Sequence, residues 1–354
     1  MILNRRKFLK NSFLAAGGIA AFRVLPGCAN YSEGGREQFS FVQINDTHLN
    51  IPGNEGYPKV EEKLRSVISS INSEEKFPLP DFVILPGDII QGTKLKFLQP
   101  ECEFARKILD ELKCPYYTVV GNHEVLNTEG NPRFLNAYKR TFGEDRIYYS
   151  FIHKGFHFIL FNNSNGLGST GDATSHRNEW LENTLNEHDT YPKIIVCHIP
   201  LISYREEENL QKSFGHWTYK LRGLNTWSII QNHSDKVIAV LNGHVHLTGV
   251  IKTNNSWLSF LFPGDDDIYH ISPSGLASYP CHYAYYKVFE NKIDVKMIQV
   301  DIELVTPSSN IHGKLYREKD FVDTNHKSNE IYVSGNMDER VFSIPLVNSK
   351  RVSS

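Results

Sequence analysis

Residues 237–246 read VIAVLNGHVH, and the reading of this stretch decides the fold. Val237, Ile238, Ala239, Val240 and Leu241 form an apolar, largely β-branched run with no polar alternation. Such a run is a strand covered on both faces, the habit of parallel sheets in α/β proteins. It stops at Asn242-Gly243 and is followed by His244 and His246. In extended chain, residues two apart project to the same side, so the two imidazoles share a face just past the strand end. Neutral imidazole is the commonest protein metal ligand. A lone His-x-His pair is as readily two ordinary packed histidines, so the rest of the chain has to decide.

The same grammar recurs upstream. FSFVQI (39–44) runs into Asn45-Asp46-Thr47-His48, and DFVIL (81–85) into Pro86-Gly87-Asp88. YYTVV (116–120) runs into Gly121-Asn122-His123-Glu124, and KIIVC (193–197) into His198. Five buried strands thus each deliver metal-competent side chains at the carboxyl end, the edge where open α/β sheets bind ligands. Between them, Val60, Leu64, Val67, Ile68 and Ile71 lie at helical spacing, as do Phe104, Ala105, Ile108, Leu109 and Leu112. A short helix is expected near 132–141 and another around Trp180, Leu181 and Leu185. IYYSFI (147–152) and FHFILF (156–161) are close enough to pair, and later strand-like pieces include TGVIKT, LSFLF, YAYYKVF and KIDVKMIQV. Early βαβα alternation with later strands predicts an α/β domain with a large mixed sheet or two packed sheets.

Each strand-end motif alone is common, and the ordered set is what carries information. Asp46-x-His48, Gly87-Asp88, Gly121-Asn122-His123-Glu124, His198 and Gly243-His244-x-His246 together resemble the calcineurin-like metallophosphoesterase superfamily, over about residues 36–300. The resemblance implies a four-layer αββα sandwich, two mixed β-sheets flanked by helices, with a binuclear metal centre between the sheets. It implies that Asp46, His48, Asp88 and His246 hold one ion, and that Asp88 (bridging), Asn122, His198 and His244 hold the other. His123 is then the residue facing the substrate. It further implies a phosphoesterase acting on a small phosphodiester or phosphomonoester by attack of a metal-bridging hydroxide, with His123 protonating the leaving group.

Elementary chemistry is consistent with those roles. His244 and His246 have Cα atoms about 6–7 Å apart, which suits neighbouring ions about 3.5–4 Å apart. Two divalent ions less two carboxylates and a hydroxide leave a net charge of about +1, which attracts phosphate. Asp, Asn and His donors without cysteine suit Mn, Fe, Zn or Co rather than a sulfur-rich structural zinc. After Gly87-Asp88 the chain reads Ile89-Ile90-Gln91, unlike the Asp-Arg of protein Ser/Thr phosphatases or the Tyr ligand of purple acid phosphatases. The pattern is more similar to the cyclic-nucleotide and glycerophosphodiester phosphodiesterase branch. Between His198 and His244, Tyr204, Arg205, His216, Trp217 and Tyr219 are candidates to cap the site, with Arg205 as a phosphate clamp. Glu124 and Asn50 read as supports for the ligands rather than reacting groups. The competing class is a protein that binds metal and phosphate ligand with little turnover, and a retained His123 argues against it. The absence of H-E-x-x-H counts against a non-phosphate zinc hydrolase.

The first 28 residues form a separate export signal. NRRKFLK precedes the mostly apolar NSFLAAGGIAAF and then RVLPGC, an apolar segment too short for an ordinary membrane span. Arg5-Arg6 before Phe8, Leu9 and Lys10 resembles a twin-arginine signal, with Asn4 in place of the usual Ser or Thr, and Leu25-Pro26-Gly27-Cys28 is a candidate lipid-anchor site. The expected location is across a bacterial inner membrane, periplasmic or lipid-anchored through Cys28. The formal net charge is −2, and removing five bases leaves −2 − 5 = −7, which gives no pull toward nucleic acid. Of the remaining cysteines, Cys102 and Cys114 would sit about 18 Å apart along a helix, beyond the roughly 7 Å a disulfide allows. Residues 301–354 read as an extension packed on the domain, through IYVSG and VFSIPLV.

Overall fold

The computed structural model describes residues 35–126, 132–164, 172–214, 224–253, 267–305 and 325–346. Apolar runs become strands where expected. β1 (Glu37–Gln43), α1 (Val60–Ser73), β2 (Phe82–Leu85), α2 (Leu95–Leu109) and β3 (Tyr116–Thr118) build the first alternating segment. After α3 (Pro132–Phe142) come β4 (Tyr148–His153), β5 (Phe156–Phe161), α4 (Asp172–Asn186) and β6 (Lys193–Val196). Next are α5 (Glu207–Phe214), α6 (Leu224–Gln231), β7 (Val237–Leu241), β8 (Gly249–Thr253) and β9 (Ile268–Ser272). β10 (His282–Phe289), β11 (Lys292–Gln299), α7 (Asn329–Ser334), α8 (Met337–Arg340) and β12 (Val341–Pro345) complete the described elements. The strand expected in LSFLF and the capping candidates His216, Trp217 and Tyr219 lie outside the described residues, as does the export signal.

The strands form two six-stranded mixed sheets, ordered β12-β11-β10-β1-β2-β3 and β4-β5-β6-β7-β9-β8. β1, β2 and β3 are mutually parallel in the first, and β5, β6, β7 and β9 in the second, with antiparallel strands outside them. Among the parallel strands β2, β5, β6 and β7 are wholly buried because both their faces are covered. In β1, Phe41 points between the sheets and Val42 toward the helices, as the two-residue period requires. The inter-sheet layer is aromatic: Phe41 stacks on Tyr286 at 4.3 Å and meets Phe158 edge-on at 5.5 Å. On one outer face Leu64, Val67, Ile68 and Ile71 of α1 and Ala105, Ile108 and Leu109 of α2 pack on Val42, Val83 and Leu85. On the other, Leu181 and Leu185 of α4 and Ile230 of α6 pack on Ile159, Ile195 and Val240. Each such valine, leucine or isoleucine contributes about 1.5–3 kcal/mol by leaving water. The result is a four-layer αββα sandwich of two mixed sheets.

One local feature differs from the sequence reading. α2 begins at Leu95, well before Phe104, and carries Pro100 inside it. Its buried stripe starts at Leu98 and Cys102, so packing overrides the one lost backbone bond. Cys102 is therefore mid-helix and Cys114 beyond its end; both are buried free thiols. Near the C-terminus, Asn329–Ser334 is a helix whose start is capped by Ser328 accepting from the Ile331 N–H. Its Tyr332 and Val333 pack on Tyr204, Leu210, Val245 and Leu247, while β12 extends the first sheet alongside β11.

Candidate metal centre

All eight strand-end residues converge. Asp46 and His48 follow β1, Asp88 follows β2, Asn122 and His123 follow β3, His198 follows β6, and His244 and His246 follow β7. Parallel strands of both sheets thus deliver them to one edge. Asp46, His48, Asp88, Asn122, His198 and His246 are buried, while solvent reaches His123 and His244 in part. Asp46, His48, Asp88 and His246 each offer a ligand atom within 4.8 Å of the others, and Asp88, His198 and His244 form a second such group. Asn122 joins the second through its Oδ1, 2.9 Å from His198 Nε2. The two groups share Asp88.

The backbone turns needed for this are costly. Asp46, His48, Asp88, His244 and His246 all have positive φ, between 44° and 73°. Left-handed backbone costs a non-glycine residue about 1–2 kcal/mol, so five in one place must be held by their surroundings. The His48 N–H donates to the Asp88 carbonyl (3.0 Å) and Ala277 N–H to that of Asp46 (3.0 Å). The His244 N–H donates to both Asp46 carboxylate oxygens, at 2.9 and 3.1 Å, and the His123 N–H to Asp88 Oδ1 at 2.9 Å. Gly121 is required by space: a Cβ there would lie 2.1 Å from the Asp88 nitrogen.

Glu124 holds the loop after β2. Its buried carboxylate accepts N–H bonds from Asp88 (3.0 Å), Ile89 (2.8 Å), Ile90 (3.2 Å) and Gly121 (2.6 Å). Burial, and then the charge of Asp88, push its carboxyl up to about 7, against which the charge of His198 and then the N–H groups of Ile90 and Gly121 act. His246 Nδ1 meets the Ser278 hydroxyl at 2.8 Å, and His198 Nδ1 donates to the Pro86 carbonyl at 2.7 Å. These contacts orient the rings and leave each Nε2 facing the cluster.

The donors fit a bound cation. His48 Nε2 and His246 Nε2 face each other at 3.1 Å, with Asp88 Oδ2 3.7 Å from the first and Asp46 Oδ1 3.4 Å from the second. At most one proton fits between the two nitrogens, whereas a cation satisfies all four atoms together. Burial, then the neighbouring His123, hold His48 well below its ordinary pKa, so it is the neutral imidazole a metal needs. Asp88 stays well below the usual carboxylate range although burial opposes this, because His198 and His123 attract its charge. His198, 3.1 Å from Asp88 Oδ2, is pushed up to about 9 against its burial by that carboxylate. Its proton occupies the place a cation would take.

Of the capping residues proposed from the sequence, the two described are placed otherwise. Arg205 is no phosphate clamp: it is buried, and its guanidinium donates to the carbonyls of Tyr332 (3.0 Å), Tyr204 (2.9 Å) and Thr248 (2.7 Å) and to Glu339 Oε1 (2.8 Å). Tyr332 and Glu339, near the C-terminus and distant in sequence, take two of those four bonds. Tyr204 is buried too, its hydroxyl donating to Asn242 Oδ1 at 3.1 Å behind the site. Conversely, Tyr57 escaped the sequence reading. Its ring lies 4.8 Å from that of His48 and 5.5 Å from that of His246. It sits in a loop with no strand to announce it, and Ser278 is equally anonymous in sequence.

Comparison with known proteins agrees with this geometry. The family described as calcineurin-like phosphoesterase matches residues 39–247. A probable glycerophosphodiester phosphodiesterase of Arcobacter nitrofigilis is 27% identical over 214 residues, covering 58% of this chain and 71% of that protein. A probable cyclic nucleotide phosphodiesterase of Moraxella catarrhalis is 24% identical over 225 residues, covering 59% and 71%. In fold, the chain is similar to a dimetal phosphatase from Danio rerio (TM-score 0.53, 18% identity, 75% of this chain and 98% of that one). It is similar also to a purple acid phosphatase from yellow lupin (TM-score 0.55, 14% identity, 75% and 52%). With the matched segment running from β1 to just past His246 and taking in every clustered donor, the chain belongs to the calcineurin-like phosphoesterase family.

Proposed function

We propose that this chain is an exported phosphoesterase that uses two metal ions to hydrolyse phosphate esters of small molecules. The observation that carries the reading is the pair of donor groups sharing Asp88. Asp46, His48, Asp88 and His246 would hold one ion, and Asp88, Asn122, His198 and His244 the other. Mn, Fe, Zn or Co bound there would supply hydroxide near neutral pH and offset the charge of a phosphate. His123 is positioned for the remaining task. It is partly open to solvent, its ring lies 4.4 Å from that of His48, and its Nδ1–H donates to the Gln91 carbonyl. Nε2 is thereby left to pass a proton to the departing oxygen. The names of the Arcobacter and Moraxella relatives favour diesters over monoesters.

The test is a metal-loaded preparation run against bis(p-nitrophenyl) phosphate, p-nitrophenyl phosphate, glycerophosphodiesters and cyclic nucleotides side by side, with metal counted per chain. Two ions and turnover of at least one diester are expected. A loaded protein inert to the whole panel would instead assign a binding role. His123→Ala should keep the metal yet lose turnover, most with poor leaving groups. Export rests on the leader alone, and replacing Arg5 and Arg6 by Lys should retain the chain in the cytoplasm; unchanged fractionation would remove that part.

A further inference from the structure

Glu101 lies on α2, in no motif, yet it is fully buried beneath the loop that follows Asp88. One of its carboxylate oxygens accepts from the Asn54 side-chain amide at 2.6 Å, and the other accepts from the Gly92 N–H at 2.8 Å. That N–H belongs to the same peptide unit as the Gln91 carbonyl, and the Gln91 carbonyl accepts from His123 Nδ1. A carboxylate and an imidazole are therefore joined across a single peptide group. The unit has little freedom. The Gln91 N–H donates to the Leu49 carbonyl at 2.8 Å, and a Cβ on Gly92 (φ 51°) would lie 2.0 Å from the His123 carbonyl oxygen.

Resting on the phosphoesterase reading above, we infer that Glu101 is a positioning residue for His123, acting through the Gln91–Gly92 peptide. The physical basis is cooperative polarisation. An anion accepting from the N–H of a peptide draws its dipole into line and makes the carbonyl oxygen of that peptide a better acceptor. A carbonyl can only accept, so it holds the proton on His123 Nδ1 and leaves Nε2 as the atom presented to the substrate. Burial pushes the Glu101 carboxyl up; Asn54, the Gly92 N–H and, after them, the charge of His123 act against it. A carboxylate buried for packing alone would have no cause to spend an oxygen on this peptide.

Glu101→Gln keeps the shape and removes the charge. In the metal-loaded enzyme it should lower kcat for a diester with an alkoxide leaving group about tenfold more than for bis(p-nitrophenyl) phosphate, with KM and metal content unchanged. Equal losses on both substrates, or loss of metal, would make Glu101 a purely structural residue and overturn the inference. A second readout needs no turnover: nitrogen-15 spectra of the histidine-labelled, metal-free full chain, with the His123 signal identified by its absence in His123→Ala. The wild type should show a hydrogen-bonded Nδ1–H tautomer, and Glu101→Gln a weakened one; identical His123 signals would overturn the inference. If His123→Ala itself shows no leaving-group selectivity, the acid role proposed above fails, while the spectra still decide the Glu101 contact. Should Glu101→Gln not fold, Glu101→Asp, one methylene too short to reach Gly92, should give the same split between leaving groups.

Discussion

Replacing Glu124 by Gln tests how the site is held. The carboxylate accepts four backbone N–H bonds, two on each oxygen. The amide keeps one oxygen and sets an NH2 against two N–H donors, so two bonds are lost. A hydrogen bond to a charged acceptor is worth about 1.5–3 kcal/mol, giving about 3–6 kcal/mol in all. Burial and Asp88 already push this carboxyl up to about 7, so some of the cost of burying the anion disappears with its charge. The loss should therefore fall near about 3 kcal/mol, a large part of the about 5–15 kcal/mol that keeps a domain folded. The damage should reach the metal as well, since the strained turn at Asp88 loses its anchor. The assay is guanidinium unfolding of the metal-free chain together with calorimetric metal titration. A lower midpoint and weaker binding are expected. A variant matching the wild type in both would refute the argument that Glu124 holds the Asp88 loop.

Two further outcomes follow from packing and from charge. Gly121→Ala puts a Cβ 2.1 Å from the Asp88 nitrogen and 2.2 Å from Asp88 Oδ1, so the folded protein should bind less than one equivalent of metal; elemental analysis showing wild-type content would contradict this. Glu339, against Arg205 (2.8 Å) and His326 (2.8 Å), is held at about 2 despite burial, first by the hydrogen bond from His326 and then by the charge of Arg205. Its folded pKa lies below its unfolded value of 4.5, so its contribution is complete above that value and is lost as pH falls toward 2. The difference is worth about 3 kcal/mol. Glu339→Gln should flatten the acid limb of the stability curve in that window; parallel curves for variant and wild type would count against the pair.

Much of this molecule was legible because its information is local. A strand buried on both faces shows itself as an unbroken apolar run, so β2, β6 and β7 fall within a residue of where the runs lie. The side chains that follow such strands inherit a common edge, and that let Asp46, His48, Asp88, Asn122, His123, His198, His244 and His246 be named before any contact was known. The apolar spacing marked α2 only from Phe104 and missed its earlier turns, which contain Pro100 yet pack through Leu98 and Cys102.

What depends on contacts between distant segments had no local signature. Glu124 could be ranked as a support, but three of its four N–H partners come from the loop after β2, which only the folded chain brings beside it. Arg205 looked like a phosphate ligand because a basic residue near a site is indistinguishable, in sequence, from one whose donors are taken by partners such as Tyr332 and Glu339, 127 and 134 residues away. Tyr57, Ser278 and Glu101 lie in a loop, a loop and a helix face, with neither period nor motif to mark them. The sequence by itself determined which donor atoms exist and which strand ends carry them, since strand period and chain order are properties of neighbours. Tertiary structure alone decided that Asp46 and His246, two hundred residues apart, face one point, because the left-handed loops after β1 and β7 are tied together only in the folded chain, where the His244 N–H donates to the Asp46 carboxylate.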